Sequence, residues 1–233
     1  CVICPMLRNT VVKSKFMTEK YRFRQALRPF SFSVAFIVCL TGILVAAREG
    51  VSDLFLSFLI ISAGLLLQAG VNLINDHADL GLSKSRLDFK SAAMIKQNFK
   101  YGLFCFLIAA AIGIYLIFVS GIGLLWLSVL GLLGALGYTM EPVNYKRRGL
   151  AVVFVFWLMG VFMVLGSYYV MTSQISSTAF YLSIPVSIFT SLLLLSNEIR
   201  DFEADRSQGI GTLSVRIGYT AAIRLYVGLL AIA

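Results

Sequence analysis

The sequence is built from long apolar runs separated by short polar segments. Seven such runs lie at residues 30–47, 54–75, 101–119, 122–140, 150–171, 179–197 and 217–233. Most are close to the roughly 20 residues that a helix needs to cross the hydrocarbon core of a bilayer. Their apolar residues are continuous and do not alternate with polar ones, unlike the strands of a membrane β-barrel. The pattern predicts an all-α protein, a polytopic transmembrane bundle of about seven helices.

Composition supports a membrane protein. Apolar residues make up 59% of the chain and charged residues 13%, with a mean hydropathy of +0.87. Soluble domains carry about 25% charged residues. We expect residues 1–29 to form a basic cytoplasmic segment and residues 30–233 to form a single transmembrane domain. Because the last run reaches Ala233 without a polar flank, we expect this domain to be C-terminally incomplete.

The positive charge is concentrated on one side of the predicted bundle. The net charge is +9, and 18 of the 20 Lys and Arg residues precede the first run or lie in loops 76–100, 141–149 and 198–216, with Arg48 and Arg224 as exceptions. Cytoplasmic loops of membrane proteins carry such an excess. The distribution predicts an integral membrane protein with a cytoplasmic N-terminus and cytoplasmic loops. Its partner is then the lipid bilayer and not nucleic acid.

Two related polar motifs stand at the ends of apolar runs. The first is Asn75-Asp76-His77-Ala78-Asp79, and the second is Asn197-Glu-Ile-Arg-Asp-Phe-Glu-Ala-Asp205. Residues four apart on a helix lie nearly above one another. Each motif therefore aligns an Asn with the Asp four positions later, and the second adds an Asp after four more. Asp76 points about 100° away from its stripe.

Aligned carboxylates in a chain with few charges indicate a metal site. Carboxylates that face one another across a bundle repel unless cations lie between them. Magnesium binds one or two carboxylates and completes its shell with water and phosphate oxygens. Nearby Lys and Arg would neutralise the remaining phosphate charge. The pattern predicts a diphosphate held through Mg²⁺, above an apolar interior suited to a hydrocarbon tail.

Other polar residues near the motifs have different expected roles. Gln68 and Asn72 lie at membrane depth, where polar side chains face a cavity or the bundle interior. The single histidine, His77, is off the stripe and is expected in a loop or interface. Glu198 and Glu203 are also off the stripe and are expected to be solvated or paired.

The residues around both motifs resemble a known family. After the second motif come Gly209, Thr212-Leu213, Arg216 and Gly218, and before it Gly137-Tyr138-Thr139, Pro142, Tyr145 and Gly149-Leu150. The pair Arg28-Pro29 precedes the first run. These features resemble the UbiA superfamily of intramembrane prenyltransferases, and within it most closely the 1,4-dihydroxy-2-naphthoate (menaquinone) branch. The resemblance extends from about residue 22 to the end of the chain.

The resemblance implies a fold and a reaction. The family pattern is nine transmembrane helices around a cavity open to the cytoplasm, with two Mg²⁺ ions holding a polyprenyl diphosphate. Loss of diphosphate leaves an allylic cation, which an aromatic acceptor attacks. In the menaquinone branch the attacked carbon carries a carboxylate, so carbon dioxide leaves. We therefore expect a Mg-dependent prenyltransferase of menaquinone biosynthesis, in a bacterial inner membrane.

The resemblance also assigns roles to residues. The expected metal ligands are Asn75, Asp79, Asn197, Asp201 and Asp205, of which the three Asp are also the expected catalytic residues. The expected substrate-binding residues are Asn75, Asp76, Lys84, Arg86, Tyr138, Tyr145, Arg200 and Arg206. A topological role for the basic residues, and an interfacial one for the tyrosines, are the alternatives.

The chain departs from the branch pattern at three places. Ser83-Lys84-Ser85 replaces an expected Gly-x-Asp, Val152 replaces an expected Glu, and Ile210-Gly211 replaces one or two basic residues. Three other functions therefore stay open: transfer to another acceptor such as 4-hydroxybenzoate, isoprenoid binding without catalysis, and cation-coupled transport. Transporters often place polar sites on broken helices at membrane mid-depth. Here the acids stand at helix ends, which favours the enzyme.

Overall fold

The computed structural model describes residues 21–77, 80, 89–138 and 142–233. Within these residues the regular structure is helical and no strand is present. We number the helices along the chain as α1 Phe23–Ala26, α2 Phe30–Arg48, α3 Leu54–Asn75, α4 Phe89–Ser120, α5 Ile122–Gly137, α6 Ala151–Thr172, α7 Ser177–Arg200, α8 Phe202–Ser207, α9 Leu213–Ile217 and α10 Tyr219–Ile232.

Each of the seven predicted apolar runs is largely helical over its described residues, which confirms the all-α membrane fold. Within the described part of the chain, five helical stretches are long and apolar enough to cross a membrane: Phe23–Arg48, Leu54–Asn75, Phe89–Ser120, Ala151–Thr172 and Ser177–Arg200. The fourth and seventh runs form shorter apolar helices, Ile122–Gly134 and Tyr219–Ile232. Many large apolar side chains point outward, among them Leu54 (91% exposed) and Phe118 (84% exposed). Such extensive exposed apolar surface marks contact with lipid.

Helix α4 begins earlier than the sequence predicted. The third run was expected to start at residue 101 after a loop over 76–100, but the helix starts at Phe89. Ser91, Ile95 and Asn98 are buried, and this i, i+4, i+7 spacing is one face of a helix. The polar residues before residue 101 therefore belong to an amphipathic stretch of helix and not to a loop. The opposite face carries exposed lysines, namely Lys90, Lys96 and Lys100.

The chain divides into two compact units, and each is described by itself. The first comprises the described residues up to Ser33 together with those of Ser62–Ile112. Tyr21, Leu73 and Ile95 are buried within it. The side-chain amide of Asn98 donates to the Tyr21 carbonyl oxygen at 2.9 Å, so the start of the described chain is tied to α4.

The second unit comprises Val34–Ile61 and Gly113–Ala233. Its helix α6 contains a π-helical turn, Phe156–Val161, an uncommon widening of the helix. At this turn α6 approaches α7 closely, since a Cβ built on Gly160 would lie 2.7 Å from the Cα of Ser187. Ser187 is itself buried. Small residues at such contacts let membrane helices pack backbone to backbone.

We predict that Gly160→Ala destabilises the protein, because its methyl group would overlap Ser187 and force α6 and α7 apart. Overpacking of this kind costs about 1–3 kcal/mol. The matched control is Gly166→Ala in the same helix, where an added Cβ meets nothing within 4 Å. Thermal unfolding of the purified variants in detergent measures the difference. Equal melting temperatures for the two variants would contradict the close contact.

Candidate active site

The first motif lies at the end of α3. Asn75 is the last residue of the helix, and Asp76 and His77 form the turn that follows. Asn75 is half-buried, whereas His77 is exposed and its ring centroid lies 4.3 Å from that of Phe99. His77 thus occupies a turn against α4. Three of the predicted site residues, Asp79, Lys84 and Arg86, fall outside the described residues.

A buried polar network supports this end of α3. As expected, Gln68 and Asn72 face the interior, with 8% and 5% exposure. The amide nitrogen of Asn72 donates to the Leu27 carbonyl oxygen at 2.8 Å and to Ser31 Oγ at 2.7 Å. Gln68 donates to Ser31 Oγ and to Asn72 Oδ1, each at 3.1 Å. These bonds satisfy polar groups away from water and fix the α1–α2 connection on α3.

Asp76 forms an ion pair with Arg28. An Arg28 guanidinium nitrogen lies 3.1 Å from Asp76 Oδ1, with side-chain exposures of 35% and 4%. Arg28 has a positive φ of 50° and is followed by Pro29, which fixes the chain direction into α2. The Asp76 carboxylate therefore points away from the helix axis of α3 towards the α1–α2 connection, consistent with its position off the stripe.

The second motif keeps its alignment across a helix break. Helix α7 ends at Arg200, and Asp201 has φ −92° and ψ 7° before α8 begins. The backbone N–H of Asp201 nevertheless donates to the Asn197 carbonyl oxygen at 3.0 Å, and that of Asp205 to the Asp201 carbonyl oxygen at 2.9 Å. These are the i to i−4 bonds of an α-helix. They join the three stripe residues directly to one another, one turn apart.

The stripe residues are accessible and have a cation beside them. Asn197, Asp201 and Asp205 are all partly exposed. The Arg200 guanidinium binds both carboxylate oxygens of Asp201, at 3.0 and 2.8 Å. Arg206 is exposed on α8. Of the two predicted arginines, one therefore contacts the stripe and the other faces outward.

Glu198 was expected to be solvated or paired, and the structure buries it, with 5% exposure. Its Oε2 accepts a hydrogen bond from the Ser214 backbone N–H at 3.2 Å, while its Oε1 has no partner among the described residues. The burial depends on Ser214, 16 residues away, so spacing within the motif could not reveal it. Glu203, by contrast, is exposed as expected.

The segment after α8 contains contacts that the sequence reasoning missed. Thr212 Oγ1 lies 3.4 Å from Asp205 Oδ2 and 3.3 Å from Ser214 Oγ. Arg216 donates to the Gly211 carbonyl oxygen at 3.0 Å and to the Arg147 carbonyl oxygen at 3.1 Å. Thr212 and Arg216 belong to the stretch that carries the family resemblance, and this was the signal available in the sequence. The contacts fix this segment relative to the second motif and to the 142–150 connection.

The two predicted tyrosines have unequal environments. Tyr145 is 3% exposed, donates to the Gly134 carbonyl oxygen at 2.6 Å and stacks on Phe154 at 4.4 Å. Burial raises the pKa of the Tyr145 phenol, so the hydroxyl stays a neutral donor. Tyr138 is half-buried and meets Tyr145 edge to face at 5.3 Å. Lys146 Nζ lies 5.9 Å from the Tyr138 ring centroid.

The donor atoms of the second motif suit magnesium. Among the residues that the structure describes, no three His, Cys, Asp or Glu side chains form a ready-made metal cluster. Magnesium does not require one, because it uses one or two carboxylates and takes its other ligands from water and phosphate. Asn197, Asp201 and Asp205 offer only hard oxygen ligands of this kind. Their chemistry therefore fits the ion.

Comparison with known proteins identifies the family. Residues 35–233 match the UbiA prenyltransferase family. The chain belongs to this family. It is a prenyltransferase, which confirms both the resemblance and the enzyme class inferred from the motifs. The helical bundle with its apolar exterior is that of an integral membrane protein.

Individual relatives support the same assignment. The 1,4-dihydroxy-2-naphthoate octaprenyltransferase of Bacillus subtilis is 29% identical over 217 residues, which cover 90% of this chain and 70% of that protein. The UbiA prenyltransferase domain-containing protein 1 of Xenopus tropicalis is 28% identical, over 97% of this chain and 68% of that protein. A solved UbiA homologue from Archaeoglobus fulgidus, bound to GPP and Mg²⁺, aligns with a TM-score of 0.63 at 13% identity, covering 90% of this chain and 74% of that one. This last likeness shows the shared fold.

We predict that Arg28 and Asp76 stabilise the protein together. Asp76→Ala leaves Arg28 without its carboxylate, and a double-mutant cycle with Arg28→Ala should give a coupling energy of about 1–2 kcal/mol, reduced from that of a fully buried pair because Arg28 is partly exposed. Thermal or denaturant unfolding in detergent measures it. The control is Arg24→Ala, an exposed arginine of α1, which should be nearly neutral. Additive effects of the two substitutions would refute the pairing.

Proposed function

We propose that this UbiA-family enzyme transfers a prenyl group from a polyprenyl diphosphate to 1,4-dihydroxy-2-naphthoate in menaquinone biosynthesis, and that it depends on Mg²⁺. The observation that carries the proposal is the stripe Asn197, Asp201 and Asp205, held in register by backbone hydrogen bonds. Similarity to the B. subtilis octaprenyltransferase supports the acceptor. The Mg²⁺ and GPP bound to the A. fulgidus homologue support the metal and the donor.

In this proposal oxygen ligands from both motifs bind magnesium: Asn75 and Asp79 from the first, and Asn197, Asp201 and Asp205 from the second. Mg²⁺ held by these residues would neutralise the charge that builds on the departing diphosphate. Asp76 has a separate role, because it pairs with Arg28. It fixes the turn that carries the first motif and is the least direct of the proposed substrate contacts.

Arginine and lysine side chains complete the diphosphate site. Arg200 lies against Asp201, so its guanidinium can contact a phosphate oxygen while it remains paired. Arg206 is exposed on α8, six residues after Arg200, and can turn towards the same anion. Lys84 and Arg86 are proposed for the same role from the sequence. Together these cations would offset negative charge of the diphosphate that Mg²⁺ does not neutralise.

The proposed reaction breaks one bond and forms another. The allylic C–O bond of the donor breaks, and its electron pair leaves with the diphosphate. A ring carbon of the acceptor then supplies the pair for the new C–C bond, and its carboxyl group leaves as carbon dioxide. The face of the Tyr138 ring can stabilise the allylic cation. Tyr145, buried and hydrogen-bonded, holds Tyr138 by its edge-to-face contact.

The proposal places both motifs on the cytoplasmic side of a bacterial inner membrane. Basic residues at the motif ends of the helices carry the argument, since cytoplasmic flanks are rich in Lys and Arg. Lys96 and Lys100 lie on α4, and Lys146, Arg147 and Arg148 lie between α5 and α6. Labelling of single introduced cysteines in intact cells and in inverted vesicles tests this orientation.

We predict that Asp201→Asn and Asp205→Asn each reduce kcat/KM for prenyl transfer by about 100-fold or more, because each removes a negative metal ligand. The assay follows a labelled prenyl diphosphate in membranes or detergent, with a panel of aromatic acceptors. Glu203→Gln is the control, since Glu203 is exposed and off the stripe. Transfer to 4-hydroxybenzoate alone would correct the acceptor. No transfer to any acceptor, with an active relative assayed alongside, would overturn the function.

We also predict that chelation abolishes transfer and that added Mg²⁺ restores it. Ca²⁺ should restore little activity, because it is larger and its coordination is looser than the octahedral shell of Mg²⁺. Rates measured after dialysis against a chelator and readdition of each ion test this. Full activity in the chelator would rule out a metal-bound diphosphate.

A further inference from the structure

Glu198 is a buried carboxylate within the second motif that the proposed reaction does not use. It follows Asn197 directly, and neighbouring residues on a helix point about 100° apart. Its side chain therefore does not join the stripe, and it is buried instead. A buried carboxylate is expensive to maintain without hydrogen bonds. Its partners indicate what it does.

Glu198 fastens the end of α7 to the start of α9. The Ser214 backbone N–H donates to Glu198 Oε2 at 3.2 Å, and Ser214 Oγ donates to the Glu198 carbonyl oxygen at 3.0 Å. Ser214 has no exposed surface. Two bonds between the same two residues fix both distance and orientation. These bonds hold together the two ends of the segment between Glu198 and Ser214, which contains Asp201 and Asp205.

Thr212 extends this connection to the stripe. It is 1% exposed, and its Oγ1 lies between Asp205 Oδ2 at 3.4 Å and Ser214 Oγ at 3.3 Å. The hydroxyl carries one proton. Because Ser214 already donates to Glu198, and because a carboxylate is the stronger acceptor, that proton is directed to Asp205. Hydrogen bonds then join Glu198 to Ser214 and Thr212 to Asp205, and the two hydroxyl oxygens of Ser214 and Thr212 meet at 3.3 Å without a shared proton.

We propose that Glu198, Ser214 and Thr212 are positioning residues that hold the Asp205 carboxylate in the orientation in which it binds a divalent cation. Hydrogen bonds to a ligating carboxylate orient it, and their loss weakens metal binding by about 10- to 100-fold. This inference rests on the proposed function, because it takes Asp205 as a metal ligand. It adds Ser214 and Thr212, which lie outside the two motifs, and Glu198, which lies within the second motif but off its stripe.

The charge of Glu198 is not what this role requires. Burial disfavours a negative charge on Glu198, Asp205 repels it, and Lys146 attracts it. What Ser214 needs is an oxygen acceptor at Oε2, which a glutamine amide also supplies. Glu198→Gln and Glu198→Ala therefore separate the hydrogen bond from the charge.

The test is direct metal binding. Purified protein in detergent is titrated with Mn²⁺ in the presence of inorganic pyrophosphate, and free Mn²⁺ is measured by its EPR signal. We expect Thr212→Val, Ser214→Ala and Glu198→Ala each to raise the Kd for Mn²⁺ about 10-fold or more. Glu198→Gln should stay within about twofold of the wild type. The matched controls are Glu203→Gln and Ser207→Ala, on the exposed face of α8.

Non-additivity distinguishes a connected set from three separate defects. The Kd for Mn²⁺ of the double variant Glu198→Ala/Thr212→Val should be at most about three times that of the single variant with the higher Kd. A Kd raised by the product of the two single-variant factors would overturn the connection. An unchanged Kd with a lowered melting temperature would show a merely structural role. Thr212→Val changes only a hydroxyl to a methyl group, so it decides the question even where Glu198→Ala fails to fold.

The outcome also separates this inference from the proposed function. Wild-type protein that binds Mn²⁺ with the expected variant pattern but transfers no prenyl group would overturn the function and leave the positioning role intact. Normal prenyl transfer with a Kd for Mn²⁺ unaffected by Thr212→Val and Ser214→Ala would overturn the positioning role and leave the proposed function intact. Wild-type protein that binds no Mn²⁺ with pyrophosphate would overturn both.

Discussion

The second motif depends on two backbone hydrogen bonds that cross a break between helices. Helix α7 ends at Arg200, yet the N–H groups of Asp201 and Asp205 each bond the carbonyl oxygen four residues earlier. Without these bonds the chain could turn at Asp201 in another direction, and residues four apart would no longer align along one face. With them, three oxygen-bearing side chains stand one above another at the end of a membrane helix.

Both motifs are supported by polar groups buried just behind them. In the first unit Asn72 and Gln68 bond to Ser31 and to the Leu27 carbonyl, and in the second Glu198 bonds to Ser214. Buried polar groups are costly unless paired. These bonds pair the amides of Asn72 and Gln68 and one carboxylate oxygen of Glu198, and they favour one arrangement of the chain behind each motif. In the second motif the partly exposed Asp201 and Asp205 can therefore be preorganised although they follow a helix end, where backbone fraying is usual.

The sequence predicted the features that depend on local pattern. Continuous apolar runs yielded the helices, and spacing of four yielded the stripe, because both follow from helix geometry alone. The early start of α4 was missed because the alternation of Lys96 with buried Ile95 and Asn98 looked like loop polarity until the helix face was known. The π-helical turn of α6 and the burial of Glu198 were also missed. The burial of Glu198 depends on Ser214, which is 16 residues away, and the π-helical turn lies where Gly160 meets Ser187 of another helix.

Two departures from the family pattern have a structural explanation. At Gly211 a Cβ would lie 2.7 Å from the Arg147 carbonyl oxygen and 3.2 Å from a guanidinium nitrogen of Arg216. The small residue lets Arg216 bond both backbones, so a cation approaches this segment from α9 although residues 210 and 211 carry none. Val152 is 5% exposed and its carbonyl oxygen accepts from Ser191 Oγ at 3.1 Å. A carboxylate at that buried position would need a partner, and an apolar side chain that packs against α7 removes the need.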